Sequence, residues 1–378
     1  MIKKIRLLQV IPSMGMGGAE TGCRHVAEYV SERCELSSIL TSGGSQLSSA
    51  GKNVKIFKWP ISKNIFILLI NVVYIFSLIK KNNINIVHAR SRGPAWSCYL
   101  ACKLAGVKFV TTFHGTYNFN SSIKKYYNSI MIKSDHIIAG SNFILNHIKS
   151  NYKMNSPISV IKRGIDEQYF NSSNIQEQDK ETLRKEMGFS NKNFLVLLPG
   201  RLTSWKGQIL FIEAANYLKT QNKLSNIFFI ILGDSQGRHD YESDLQKLIL
   251  SYKLVDKVRL VKPLQSMALA YAFANLVVSA SIEPEAFGRV SIEAQAMKKP
   301  ILASAIGGSV ETVIDKKTGW LFKSNSIEDL ADNIYNISKM EESALKMVGA
   351  EGRRNVSENY TKDKMCLKTL EIYDSLVY

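Results

Sequence analysis

Acidic residues are scarce in the first part of this 378-residue chain. Residues 1–163 hold only 5 Asp and Glu against 22 Lys and Arg, whereas residues 164–378 hold 27 of each. The whole net charge of +17 therefore belongs to one half. A global drift in composition would not spare the other half, so the first is expected to face something anionic: membrane lipid, an acidic glycolipid or nucleic acid. Cysteine is also sparse. The five thiols are scattered, odd in number and without a CxxC pair, and Cys98 and Cys102 have no nearby His to complete a zinc site. They read as reduced packing residues of a cytoplasmic protein. Serine-hydrolase and zinc-ligand arrangements are missing, as are low-complexity segments and internal repeats.

No secretory leader is expected, since Lys3, Lys4 and Arg6 pass at once into a strand. Nor does any apolar run reach the ~20 residues that span a bilayer. The longest, Ile65 to Ile79, is interrupted by Asn71 and Ser77. It reads as a buried helix or as a helix partly inserted into a membrane face, flanked by Lys63, Lys80 and Lys81. Lys124, Lys125, Tyr126, Tyr127 and Lys133 form a second basic and aromatic stretch of the interfacial kind.

What is present is a soluble-protein composition, 45% apolar and 21% charged, on a chain long enough for two domains. Strand and helix signals alternate through both halves, which predicts two doubly wound parallel sheets with ligands at the carboxyl ends of the strands. The domains are expected at 1–170 and 171–360, with the polar stretch Asn171 to Lys180 as linker.

The densest motif is 279–294. A buried strand ends at Val278, a glycine loop follows, and Ser291 to Lys299 reads as a helix. Glu285 lies in the loop and Glu293 in the first helical turns, with seven residues between them. The backbone N–H groups of Phe287, Gly288, Arg289 and Val290 fall at the helix start, where a phosphate binds. Carboxylates on either side of an anion site suit a nucleotide sugar, which has hydroxyls at both ends of its diphosphate. The macrodipole alone also favours acid in a first turn, and a loop glutamate can simply be solvated.

A second strand, Phe194 to Leu198, ends in Pro199-Gly200-Arg201-Leu202 and then Lys206-Gly207. Cations are disfavoured at helix N-termini unless an anion binds there. Arg201 and Lys206 can neutralise a diphosphate, or they are two exposed charges on a basic protein. The loop Pro12 to Glu20 is glycine-rich but not GxGxxG, and the strand ending at Thr41 lacks the acidic residue that holds an adenosine ribose. A dinucleotide site is thus disfavoured. His114 ends a strand beside Gly115. Arg90 and Arg92 leave the same edge, where they suit an acidic acceptor or serve as ordinary surface charge.

Gly200-Arg201-Leu202 with Lys206-Gly207, followed by Glu285 and Glu293, resembles the retaining, nucleotide-sugar-dependent glycosyltransferases of GT-B fold. The chain is still more similar to the alphaproteobacterial lipopolysaccharide-core mannosyltransferases. That similarity rests on His88 to Arg92, Pro94 to Trp96, Thr111 to Gly115, Leu202-Thr203 with Trp205 to Gln208, and Pro284 to Val290, and it runs over essentially the whole chain.

The resemblance implies two Rossmann-like domains facing across a cleft. The first would bind the acceptor, the second the nucleotide sugar, and a final helix, 361–378, would cross back to the first. It places Gly17 and Gly18 against the donor phosphates and sugar, and His114 on the donor sugar. Arg201 and Lys206 would take the diphosphate, Glu285 the sugar hydroxyls and Glu293 the ribose diol, with Phe287, Gly288 and Arg289 beside the donor. Arg90 and Arg92 would meet the acceptor.

The implied reaction is retaining hexosyl transfer, mannose from GDP-mannose, onto a Kdo-bearing lipid A type of glycolipid at the cytoplasmic face of the inner membrane. A UDP- or ADP-sugar transferase of another polysaccharide and a sugar-nucleotide epimerase are the alternatives. The Asp-x-Asp motif of metal-dependent enzymes of the other common fold is absent, so no metal cofactor is expected, Arg201 and Lys206 doing its electrostatic work. No convincing nucleophile lies near His114 in the sequence, which favours front-face displacement. Nucleic acid is not expected as a partner, because it leaves Glu285 and Glu293 unexplained.

Overall fold

The computed structural model describes residues 3–15, 17–61, 65–117 and 121–378; Lys63 lies outside them. The chain divides into two compact units, Met1–Gly164 with Lys362–Tyr378, and Ile165–Thr361.

The N-terminal unit runs β1 (Lys3–Val10), α1 (Gly18–Ser31), β2 (Cys34–Thr41), β3 (Val54–Lys58), α2 (Ile65–Lys81), β4 (Ile86–Ala89), α3 (Arg92–Ala105), β5 (Lys108–Phe113), α4 (Ser122–Asn128), β6 (His136–Ala139), α5 (Asn142–Asn151) and β7 (Ile158–Val160). Its sheet order is β3-β2-β1-β4-β5-β6-β7, with parallel pairings.

The C-terminal unit runs α6 (Glu177–Glu186), β8 (Phe194–Pro199), α7 (Gln208–Thr220), β9 (Ile227–Leu232), α8 (His239–Ser251), β10 (Val258–Val261), α9 (Met267–Phe273), β11 (Leu276–Ser279), α10 (Arg289–Ala296), β12 (Ile301–Ser304), α11 (Ser309–Thr312), β13 (Trp320–Phe322), α12 (Ile327–Ser338) and α13 (Glu342–Asn359). Its sheet order is β10-β9-β8-β11-β12-β13, again parallel.

Near-continuous apolar strands follow from burial on both faces. In β8, Val196 and Leu198 join one core cluster while Leu195 and Leu197 join another, as the two-residue period of a strand requires. The last helix, α14 (Lys362–Val377), returns to the N-terminal unit: Cys366, Leu370 and Tyr373 pack with Ile5, Leu7 and Val26. His88 on β4 is buried there, with Nδ1 2.6 Å from the Tyr373 hydroxyl and Nε2 2.7 Å from that of Thr112. It is a structural tie between sheet and terminal helix.

Two expectations need correction. The stretch 171–180 is not all linker, because α6 begins at Glu177; it is polar nearly all round and buries only Leu183. The helix expected from Ser291 starts at Arg289, because Gly288 takes a left-handed conformation (φ +82°) as its N-cap. The run 65–79 forms a helix with two faces: Val72, Ile75, Leu78 and Ile79 are buried, whereas Leu69, Ile70 and Val73 are exposed.

Candidate active site

In a doubly wound sheet, ligands bind where the strand order reverses. In the C-terminal unit that point lies between β8 and β11. The loop after β8 carries Arg201 and Lys206, and the loop after β11 carries Glu285. The loops interlock through backbone: Ile282 donates to the Trp205 carbonyl at 2.9 Å. At Gly207 (φ +74°) a Cβ would lie 1.9 Å from the Ala280 oxygen. The turn after β12 closes on the same place, since Gly308 donates to the Glu285 carbonyl at 2.7 Å and a Cβ on Gly307 would lie 2.6 Å from that oxygen.

This scaffold brings Lys206 Nζ to 2.7 Å from Glu285 Oε1, with both side chains nearly buried. The Ser281 hydroxyl donates to the same carboxylate oxygen. Burial pushes the Glu285 carboxyl up. The Lys206 ammonium, the two hydrogen bonds and the more distant Arg201 outweigh it, leaving the group below its ordinary range and ionised. Arg201 is exposed, and its guanidinium has no partner among the described residues.

Glu293 sits one turn into α10. Oε1 accepts from Arg289 Nη2 at 2.7 Å and Oε2 accepts from the Tyr271 hydroxyl at 2.7 Å. Burial, then the Glu293 carboxylate, drives the Tyr271 hydroxyl well above its ordinary pKa, so it remains a donor. A carboxylate offers about four acceptor positions, and two stay open here. The Phe287 and Val290 side chains belong to the core. Their N–H groups and those of Gly288 and Arg289 have no acceptor among the described residues, so what these positions offer an anion is backbone.

The N-terminal unit has its own pocket of about 390 Å³ at the matching point, between β1 and β4. Ser13, Glu20, Arg92, His114 and Tyr117 are among its walls. Gly17 caps α1, and Gly18 opens it. A Cβ on Gly17 would collide with the Glu20 carboxylate, 2.2 Å away, so the missing side chain makes room for that carboxylate.

The expectation of two cations on an exposed edge is corrected. Arg90 lines the pocket but is 5% exposed, its Nε donating to Gln9 Oε1 at 2.8 Å and its Nη2 to the Gly22 carbonyl at 3.3 Å. Arg92 is half-buried, bonded to Asn128 Oδ1 at 2.8 Å and lying 4.1 Å over the Tyr117 ring. Only Arg92 retains the character of a ligand-facing cation.

His114 meets Arg163 Nη2 through Nδ1, while its Nε2 is buried without a partner among the described residues. Arg163, Glu20, Tyr271 and Ser281 were not singled out by the sequence. Glu20 is a carboxylate on the wall of the pocket that His114 also lines. A first-turn acid beside glycines was the available signal for Glu20; nothing local marks the other three.

Two Rossmann-like units of seven and six parallel strands, each with polar groups at its switch point, constitute a GT-B glycosyltransferase fold. Residues 179–354 match the family model of glycosyl transferases group 1, and residues 16–169 match that of glycosyltransferase family 4. A glycosyltransferase from Rickettsia africae ESF-5, known as a crystal structure, is 37% identical and covers 99% of each chain with a TM-score of 0.89. The chain belongs to this glycosyltransferase family and is an enzyme of that class. It is 23% identical to the Escherichia coli UDP-Gal:alpha-D-GlcNAc-diphosphoundecaprenol alpha-1,3-galactosyltransferase, over 99% of this chain and 97% of that one. It is 28% identical to D-inositol 3-phosphate glycosyltransferase of Mycobacteroides abscessus over 55% of this chain, and spans only 45% of that relative's length.

Proposed function

We propose that the chain is a retaining hexosyltransferase that moves mannose from GDP-mannose to a lipopolysaccharide-core acceptor of the Kdo-bearing lipid A type. The observation that carries a nucleotide-sugar donor is the Lys206–Glu285 pair beside the open N–H groups of 287–290. A diphosphate arriving at those amides and at Arg201 competes for the Lys206 ammonium. Glu285, released from Lys206 but still held by Ser281, then accepts from sugar hydroxyls, and Glu293 takes a ribose diol on its open positions. Transfer by front-face displacement breaks the bond from the anomeric carbon to the phosphate oxygen. It forms the bond to the acceptor oxygen on the same face, and the leaving diphosphate takes the acceptor proton. Arg201 and Lys206 stabilise the charge that develops, each worth ~3–4 kcal/mol by analogy with oxyanion donors. The mannose and the acceptor rest on the motif resemblance.

A thermal-shift screen of nucleotide sugars, followed by transfer to the acceptor in excess EDTA, tests this reading. Binding to the native state raises the melting temperature by mass action. GDP-mannose should stabilise the protein and transfer should persist under chelation, giving a product with the donor's anomeric configuration. Stabilisation by UDP-sugars alone would overturn the mannose assignment. Activity abolished by EDTA and restored by magnesium would overturn the metal-free phosphate site. Turnover without acceptor would point to an epimerase.

A further inference from the structure

We propose that Arg163 is a positioning residue that locks His114 as the Nε2–H tautomer, so that His114 presents a hydrogen-bond donor to a glycosyl oxygen in the N-terminal pocket. The identity of that ligand rests on the transferase reading above; the tautomer does not.

The argument begins with donor and acceptor capacity. A guanidinium only donates, so the imidazole nitrogen that faces Arg163, Nδ1, carries a lone pair. A neutral ring then has its proton on Nε2. That atom is buried without a partner among the described residues, and the ring lines the pocket. A buried donor left unsatisfied costs stability, and a ligand oxygen at that place removes the cost.

The guanidinium is held in a built slot. Nη1 donates to the Gly18 carbonyl at 3.0 Å, tying the start of α1 to the residues after β7. A Cβ on Gly22 would sit 2.9 Å from Nη1, and one on Gly140 would sit 3.9 Å from Nε. Two side-chain-free positions thus border its path, one on α1 and one after β6.

The charges around the ring agree with a neutral imidazole. Burial first, then Arg163 beyond β7, then Arg90 just past β4 and His88 on it, hold its pKa well below the ordinary value. Glu20 from α1 is the carboxylate on the pocket wall.

The test is a multiple-bond ¹⁵N–¹H correlation spectrum of the full chain labelled in its six histidines, with His114 assigned by His114→Asn. The wild type should show the Nε2–H tautomer at neutral pH. Arg163→Met should yield a tautomer mixture and raise the pH at which His114 titrates, moving the acid limb of the transfer profile upward. It should lower kcat by about a hundredfold, the scale of a slightly misplaced group, with nucleotide diphosphate affinity unchanged. Arg163→Lys, which can still donate to Nδ1, should recover the tautomer. Gly22→Ala, which crowds the guanidinium and leaves Arg163 in place, gives the same spectroscopic test should Arg163→Met fail to fold. A wild-type Nδ1–H tautomer, or a spectrum unmoved in these variants, overturns the proposal. An Nε2–H spectrum in a protein that turns over no nucleotide sugar would instead refute the proposed donor and leave the role of Arg163 standing.

Discussion

At the scale of single residues, the candidate donor site is defined by two carboxylates, each held by a cation. Their partners differ, and so do the expected losses. Glu293→Gln should weaken donor and free nucleotide diphosphate alike, because it alters the group assigned to the ribose. Glu285→Gln should spare the free nucleotide and impair turnover. Isothermal titration with the nucleotide diphosphate separates them; equal affinity in wild type and Glu293→Gln would refute the ribose assignment. Lys206→Ala has a signature in stability. The folded Glu285 carboxyl lies below its ordinary pKa, so its stabilisation is present above the unfolded value and is lost as pH falls through the folded one. Without Lys206, burial becomes the larger influence and the charge is costly at neutral pH, on the order of 3 kcal/mol for a broken buried pair. Melting curves should therefore show the largest deficit against wild type near pH 7, narrowing towards pH 4 as Glu285 takes up a proton. A deficit independent of pH would mean that the lysine acts by packing alone.

At the scale of elements, strand ends were legible and the contacts between loops were not. Apolar runs closed by glycine marked β8 and β11, so Lys206 and Glu285 were both placed at the carboxyl edge of a sheet. Their pairing was not visible, since they stand 79 positions apart and the sequence carries only types and spacings. The same holds for His114 with Arg163 and for Glu293 with Tyr271. The α6 helix was hidden for another reason: with only Leu183 buried it has no apolar stripe to read, and Arg184 pins it by donating to Ser190, Asn193 and Phe273 carbonyls and to Asn275. Arg90 was misplaced because nothing in a strand-end arginine tells whether it turns outward or, as here, inward to Gln9. The loop interlock has its own test. Gly207→Ala forces a left-handed residue, costing about 1–2 kcal/mol by itself, and drives Cβ into the Ala280 carbonyl. Chemical denaturation should show a loss above 2 kcal/mol, beyond what the backbone strain supplies. A loss no greater than that strain would show that the loops after β8 and β11 part easily.

At the scale of the whole molecule, the charge asymmetry survives the division into units. Lys362–Tyr378 adds three basic and three acidic residues to the N-terminal unit, which keeps the entire excess of +17 while the other unit is neutral. Among the described residues no helix is long and apolar enough to cross a membrane. The exposed face of α2 nevertheless presents Leu69, Ile70 and Val73, and α4 presents Ile123 and Tyr126 between the exposed Lys124, Lys125 and Lys133. The two helices are joined through α3: Ser97 donates to the Leu68 carbonyl, and Trp96 packs against Tyr126 with Lys133 over both rings. Exposed apolar side chains, with lysines beside those of α4, suit an anionic lipid surface, and each cation near it contributes ~1 kcal/mol. We therefore expect the protein to float with anionic vesicles at low salt. Two components should be separable. Raising the salt removes the screened attraction, while Leu69→Ser with Val73→Ser removes the apolar part and should abolish whatever binding persists at high salt. Failure to float with anionic vesicles at low salt would refute peripheral attachment, and the basic unit would then serve a soluble acidic acceptor.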